Sequence, residues 1–233
     1  MKHLYKIKNV IYLFGNINRK GNLHNMSKEE NVVKYYVLCN SLKNVIRSGW
    51  KAWNVKRERI ESIAEHIFGT QMLAIAMKSE FNYDIDLMKV IFMLAIHEIG
   101  EAVIGDITQF QISREEKEIL EHKAVHEILD NLIDGELIEK LFLEFDERKT
   151  KEALFAYQCD KLECDLQCKL YDLEGCVDLN KQENNKTFYH KDVQALLGDN
   201  SWSDMWLKFG QQKYPYDDNF RSVSNYALNN DIL

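Results

Sequence analysis

Apolar residues recur at the spacing of one helix face from Glu30 to about Ile46, through Val33, Val37, Leu38, Leu42, Val45 and Ile46. This predicts a first helix that ends near Ser48-Gly49. Ser27 stands where its cap belongs, with Glu30 three residues on as capping-box partner. A charged, aromatic connector from Trp50 to Arg59 leads to a second periodic stretch, about Glu61 to Lys78, which contains His66. A third helix is predicted from Asp86 through Val90, Ile91, Leu94 and Ala95 to near Glu101; it carries His97-Glu98 and stops ahead of Gly105-Asp106. Ser113 with Glu116 opens a fourth helix, ended by Asp134-Gly135. A short helix over 136–145 and a long one over about 147–173, containing Asp160, come next. Residues 180–186 read as a loop, 189–212 as one or two helices, and the remainder as a polar tail.

Composition sharpens this into an all-α fold. One proline and 10 glycines in 233 residues leave little to interrupt helices or to make tight hairpins. At 45% hydrophobic the chain has the apolar surface for one sizeable core. The net charge of −7 argues against a nucleic-acid polymer as partner, because phosphate-backbone binding needs a basic face. The longest apolar run, Val90 to Ile96, has seven residues, far short of the ~20 of a membrane span, so no membrane partner is expected. Five cysteines without a C-x-x-C pair suit free thiols in a reducing cytoplasm. Residues 1–25 carry five Lys/Arg and no acid, and the composition breaks at Met26. They read as a flexible basic arm or extension ahead of a single domain over 26–233.

Four segments place metal-ligand residue types inside apolar helical runs: Glu65-His66, His97-Glu98, Glu101 with Asp106, and Asp160. Burying such groups costs several kcal/mol unless they are paired or metal-bound. If the third helix runs through Glu101, His97 and Glu101 lie on one face, with Glu98 ~100° round from His97. Two imidazoles and two carboxylates suit an open site for Mn, Co, Fe, Ni, Zn or Mg better than a closed thiolate zinc site.

Through Arg47-Ser48-Gly49-Trp50, Glu61-Ser62-Ile63-Ala64-Glu65-His66, the run from His97 to Thr108, and Asp160-Lys161-Leu162-Glu163, the sequence resembles the HD-domain metal-dependent phosphohydrolases, in their 5'-deoxynucleotidase branch. The resemblance implies a helical bundle around one divalent metal ion held by His66, His97, Glu98 and Asp160. It implies Glu101 and Asp106 as catalytic acids and Trp50 facing the substrate, a small (deoxy)nucleoside monophosphate that loses its 5'-phosphate. Relatives of this kind are often dimers, so a homodimer is a further implication. The family dyad is His-Asp and here it is His97-Glu98, one methylene longer, which moves the oxygens by roughly 1 Å. The connector after Trp50 is longer than in the relatives, so phosphate-binding residues do not carry over, and Arg47, Lys51, Arg57 and Arg59 all stand as candidates.

The alternative is a nucleotide-binding sensor in which Glu98 has cost the protein its turnover. Other patterns lose. His97-Glu98-x-x-Glu101 lacks the second His of a zinc-protease helix. His122 and His126, on a Glu/Lys-rich helix, read as solvated, Cys164 and Cys168 as core packing, and Trp202 and Trp206 as anchors of a C-terminal helix.

Overall fold

The computed structural model describes residues 26–107, 112–198 and 200–233; the basic segment 1–25 lies outside them, as does Thr108. Helices α1 (Lys28–Asn40), α2 (Ser48–Ala52), α3 (Ile63–Phe81), α4 (Leu87–Ile96), α5 (Glu101–Ile104), α6 (Arg114–Leu129), α7 (Gly135–Glu147), α8 (Lys151–Leu173), α9 (Lys191–Leu197), α10 (Trp202–Lys213) and α11 (Asp218–Asn229) make an all-α bundle. No sheet forms among the described residues, and none of their helices is long and apolar enough to cross a membrane.

Strong local signals start the site-bearing helices. Ser62 and Glu65 form a reciprocal capping box on α3, and Ser113 and Glu116 do the same on α6. Each satisfies backbone N–H groups that a helix start leaves unpaired. Glu65, one of the candidate ligand types, is therefore a capping residue. It pairs with Arg59 at 2.5 Å.

The first departure from the periodicity is at α1, which stops at Asn40. A 3-10 turn over Ser41–Asn44 follows, and Val45 is extended. The β-branched pair Val45-Ile46 suits extended backbone. Ile46 makes an isolated antiparallel bridge to Ser62, Arg47 N–H donates to Glu61 O at 3.1 Å, and Ile63 N–H donates to Val45 O at 2.8 Å. This bridge ties Arg47 to the start of α3, the helix that carries His66. The expected connector is partly helical: α2 buries Trp50, and Trp53 at its end is buried too.

The second departure is at α4, which ends before His97. Residues 97–100 form a tight turn, with Glu101 N–H donating to Glu98 O, and α5 starts at Glu101. His97 and Glu101 are therefore not stacked on one continuous helix. Gly105 closes α5 at φ +76°, a conformation suited to glycine.

The third is α11, which replaces the expected polar tail. It is capped by the Asp217 side chain and buries Phe220, Ser224 and Ala227 along one stripe. Helix α8 runs through the middle of the bundle and packs against α3, α4, α7, α10 and α11. Phe155, Ala156, Cys159 and Leu162 on α8 belong to the main core with Val90, Met93 and Phe220. Burying side chains of the larger kind contributes about 2 kcal/mol each. The functional groups of α3, α4 and α8 are thereby held on rigid elements.

Candidate metal centre

Helix α3 delivers His66, the turn after α4 delivers His97 and Glu98, and α8 delivers Asp160. One donor atom from each lies within 4.8 Å of all the others. The two imidazoles are anchored alike. His66 is fully buried, and its Nδ1 lies 2.5 Å from Glu163 Oε2 while Nε2 faces Asp160 Oδ1 at 3.1 Å. His97 Nδ1–H donates to the Leu94 carbonyl at 2.7 Å, which leaves Nε2 turned inward, 3.9 Å from both Glu98 Oε1 and Asp160 Oδ1.

That His97 Nε2 is buried with no hydrogen-bond partner. An orphaned imidazole nitrogen among carboxylate oxygens is the donor chemistry of a cation site. The charges agree. Burial holds His97 below its ordinary pKa, in the neutral form that ligates a metal. Burial and the Arg47 charge oppose protonation of His66, yet Glu163 and Asp160 outweigh them and push it up to about 9. Burial disfavours the Asp160 carboxylate, but Lys161, 2.8 Å away, and both histidines hold it well below the usual range. Glu98 is held low despite burial by His97, Lys117 and Arg47. The residues present therefore fit a divalent metal of borderline hardness.

Glu101 is 1% exposed. Its Oε1 accepts from Lys117 Nζ at 3.0 Å, while Oε2 has no partner. Burial first, then Glu98 and Asp106, raises its pKa well above that of a free carboxylate. Asp106 Oδ2 accepts from Ser48 N–H at 2.6 Å and so pins the start of α2 beside the centre. Arg47 reaches Glu98 Oε1 at 3.7 Å and Glu61 Oε2 at 4.0 Å.

Trp50 lies in the wall of a cavity of about 280 Å³ that also borders Arg47, Glu101, Asp106, Lys117 and Lys161. Its indole N–H donates to Glu61 Oε2 at 2.6 Å, and its ring meets Tyr171 edge-on. Trp50 is thus a fixed wall rather than a free stacking platform. A second cavity of about 270 Å³ shares Glu98, Lys117, Asp160 and Lys161 with it and also borders His97.

Two substrate-binding candidates lie outside the linings of these cavities. Lys51 is exposed and borders neither cavity, because it faces outward on the five-residue α2. Arg57 is tied to Glu174 at 2.9 Å over the Tyr171 ring, away from both cavities. The surface reading of His122 also changes: its Nε2 bonds Asp146 at 2.8 Å and its ring meets Phe142 edge-on. His126 is the exposed one, against Glu139. Cys164 borders the 280 Å³ cavity, and Cys168 is buried within its wall. All five cysteines are free. Sequence reasoning missed Lys117, Lys161 and Glu163 as site residues, although Glu163 follows Asp160 by three and shares its helix face.

The model of the HD domain family aligns with residues 39–196, more than half of the chain. The chain belongs to the HD domain family. Among its relatives, the 5'-deoxynucleotidase HDDC2 of Dictyostelium discoideum is 34% identical over 61% of this chain and 78% of its own length. The 5'-deoxynucleotidase hdd1 of Schizosaccharomyces pombe is 28% identical over 81% and 99% respectively. The human HDDC2 protein is 32% identical over 61% and 70%. Among solved structures, the PH0347 protein of Pyrococcus horikoshii OT3 superposes with a TM-score of 0.58 at 22% identity, covering 84% of this chain and 98% of its own. A structure titled as a predicted metal-dependent phosphohydrolase from Magnetospirillum magnetotacticum MS-1 has a TM-score of 0.57 at 19% identity, covering 91% and 94%. These superpositions carry the HD fold. The His66, His97, Glu98 and Asp160 cluster supplies a donor set for a metal ion.

Proposed function

We propose that the protein is a metal-dependent phosphomonoesterase that removes the 5'-phosphate from (deoxy)nucleoside monophosphates, with His66, His97, Glu98 and Asp160 holding one divalent ion. The observation that carries this reading is the convergence of four donors, one an orphaned buried imidazole nitrogen, at the edge of a nucleoside-sized cavity. The names of the HD relatives, several of them 5'-deoxynucleotidases, support the substrate class.

A divalent ion held there supplies Lewis acidity toward a phosphoryl oxygen and acidifies water. The chain's own residues do the rest. Arg47, Lys117 and Lys161 border the cavity and offset the phosphate charge in an acidic protein. Glu101, whose carboxyl holds its proton more firmly than a free one because of burial and the nearby Glu98 and Asp106, delivers that proton to the 5'-oxygen as the P–O5' bond breaks and water oxygen bonds phosphorus, and it takes up a proton from that water. Asp106 holds the Ser48 N–H and through it the wall formed by Trp50. That wall limits room around the sugar.

Free-phosphate release from a panel of ribo- and deoxynucleoside monophosphates, with Mn²⁺, Co²⁺ or Mg²⁺ added after chelation, tests the proposal. Metal-restored release from monophosphates is the expected result. Stoichiometric metal binding with no release from any member of the panel would overturn it.

A further inference from the structure

The two ligand histidines are oriented by different means. His97 gives its Nδ1–H to a main-chain carbonyl, which no substitution removes, whereas His66 depends on one side chain, Glu163, 97 residues away in sequence. We propose that Glu163 is the positioning residue of the metal centre: it accepts the Nδ1–H of His66, and a slot created by Gly69 keeps its carboxylate in place. The proposal rests on the metal-centre reading above.

Three observations carry it. Glu163 Oε2 lies 2.5 Å from His66 Nδ1, and both side chains are buried, so water does not compete for that bond. A neutral imidazole that donates from Nδ1 presents a bare lone pair at Nε2, the atom aimed at Asp160 and the ligand cluster. Gly69 follows His66 by three residues on α3, so the two share a face of the helix. A Cβ at Gly69 would clash with Glu163 Oε1 and fall 3.1 Å from its Cδ. Nothing larger than hydrogen fits there while the carboxylate keeps its place, and the carboxylate is the part that must move. Gly69 and Glu163 are thus a matched pair across α3 and α8 whose joint product is the orientation of His66. Carboxylate support of this kind is worth roughly 10–100-fold in metal affinity.

The test is a Co²⁺ titration of the full chain, with thermal melts and ¹⁵N-histidine NMR, on wild type, Glu163→Ala, Glu163→Gln and Gly69→Ala. Glu163→Ala is expected to weaken Co²⁺ binding by about 10–100-fold. Gly69→Ala should weaken it in the same direction without deleting a polar group, because it displaces the carboxylate. Glu163→Gln keeps an oxygen acceptor and should recover most of the loss. In metal-free protein at pH 10 the Nδ1–H tautomer of His66 should be resolved in wild type and lost in Glu163→Ala. Wild-type Co²⁺ affinity and an unchanged tautomer in both alanine variants, with only the melting temperature lowered, would overturn the proposal and make Glu163 a packing residue. If wild type bound no Co²⁺, the metal-centre reading would fail on its own, and the tautomer measurement would still decide the role of Glu163. If Gly69→Ala fails to fold, the contrast between Glu163→Ala and Glu163→Gln decides it.

Discussion

The four-donor cluster borders two cavities of nearly equal volume, about 270 and 280 Å³, that differ in their apolar walls. Five carboxylates and three cations line each, but they make up most of the lining of the first, the charged cavity, and under half of that of the second. The second is walled by Trp50, Trp53, Trp206 and Tyr214, with Cys164 and Cys168. Glu98, Lys117, Asp160 and Lys161 border both. The shared wall is therefore where charge, ligands and cations meet. An apolar pocket with a few convergent polar groups is the usual home of a small organic ligand. On the proposed function the phosphate sits at the shared wall and the nucleoside in the aromatic cavity, while the charged cavity is open to water and released phosphate.

The largest effects should come from the shared wall and its ligands. His66→Ala, His97→Ala and Asp160→Ala are each expected to abolish stoichiometric metal binding, since each removes one of the four proposed donors. Elemental analysis of the purified variants checks this, and full occupancy in any one removes that residue from the set.

Next come the acids beside the wall. Glu101→Ala and Asp106→Ala should keep the metal while turnover falls by ~10²-fold or more, the usual size of a general acid–base contribution. Metal loss in both would make them ligands. Unchanged turnover in both would remove them from the chemistry.

The two cavities themselves separate in KM. Thr187, on a loop bordering the aromatic cavity, can be enlarged with little cost to the core. Thr187→Trp is expected to raise KM for a nucleoside monophosphate by roughly 10-fold, on the scale of a hydrophobic pocket contact. Glu118→Ala on the charged side should change KM by less than about 3-fold, the range of an exposed charge. Equal effects would erase the distinction between the sides.

The smallest effect is on stability. Asp165 borders the aromatic cavity and is buried, and Tyr216 O–H donates to its Oδ2 at 2.9 Å. Burial raises its pKa well above 3.8, so the folded chain holds this proton more firmly than an unfolded one. The folded state then binds more protons than the unfolded one, and this contribution to stability falls as pH rises past 3.8 toward the raised folded value. Asp165→Asn should flatten the decline of melting temperature above pH 5 and keep the Tyr216 bond. A steeper decline in the variant would show that Asp165 is ionised in the fold.

What was legible in the sequence follows the range of the forces involved. Capping boxes at Ser62 and Ser113 are local, and they mark the starts of α3 and α6. The apolar runs that embed His66, His97 and Asp160 marked groups too costly to bury without partners, and those residues do come together. The break of α4 at His97 was not legible, because apolar spacing resumes at Ile99 and the glycine of the turn, Gly100, stands at its far end. Tertiary burial of Ile96 and Ile99 on both sides of the turn decides it. Helix α11 was missed for the opposite reason: its sequence, rich in Asn and Ser, has weak helix propensity, and packing of Phe220 against the main core makes it a helix. The partnerships of Lys117 with Glu101 and of Glu163 with His66 exist only once α6 and α8 have packed.

The central claim is that the His97-Glu98 pair belongs to a working centre built for glutamate. Glu98→Asp, assayed for metal affinity and phosphate release in one preparation, tests it most directly. The shorter side chain withdraws the oxygens by roughly 1 Å, well beyond the ~0.2 Å tolerance of a metal–ligand distance. The account predicts weaker metal binding and slower release, although the substitution restores the dyad usual in the family. A clear gain in turnover would contradict it and mark the natural protein as a nucleotide-binding sensor whose catalysis Glu98 had switched off.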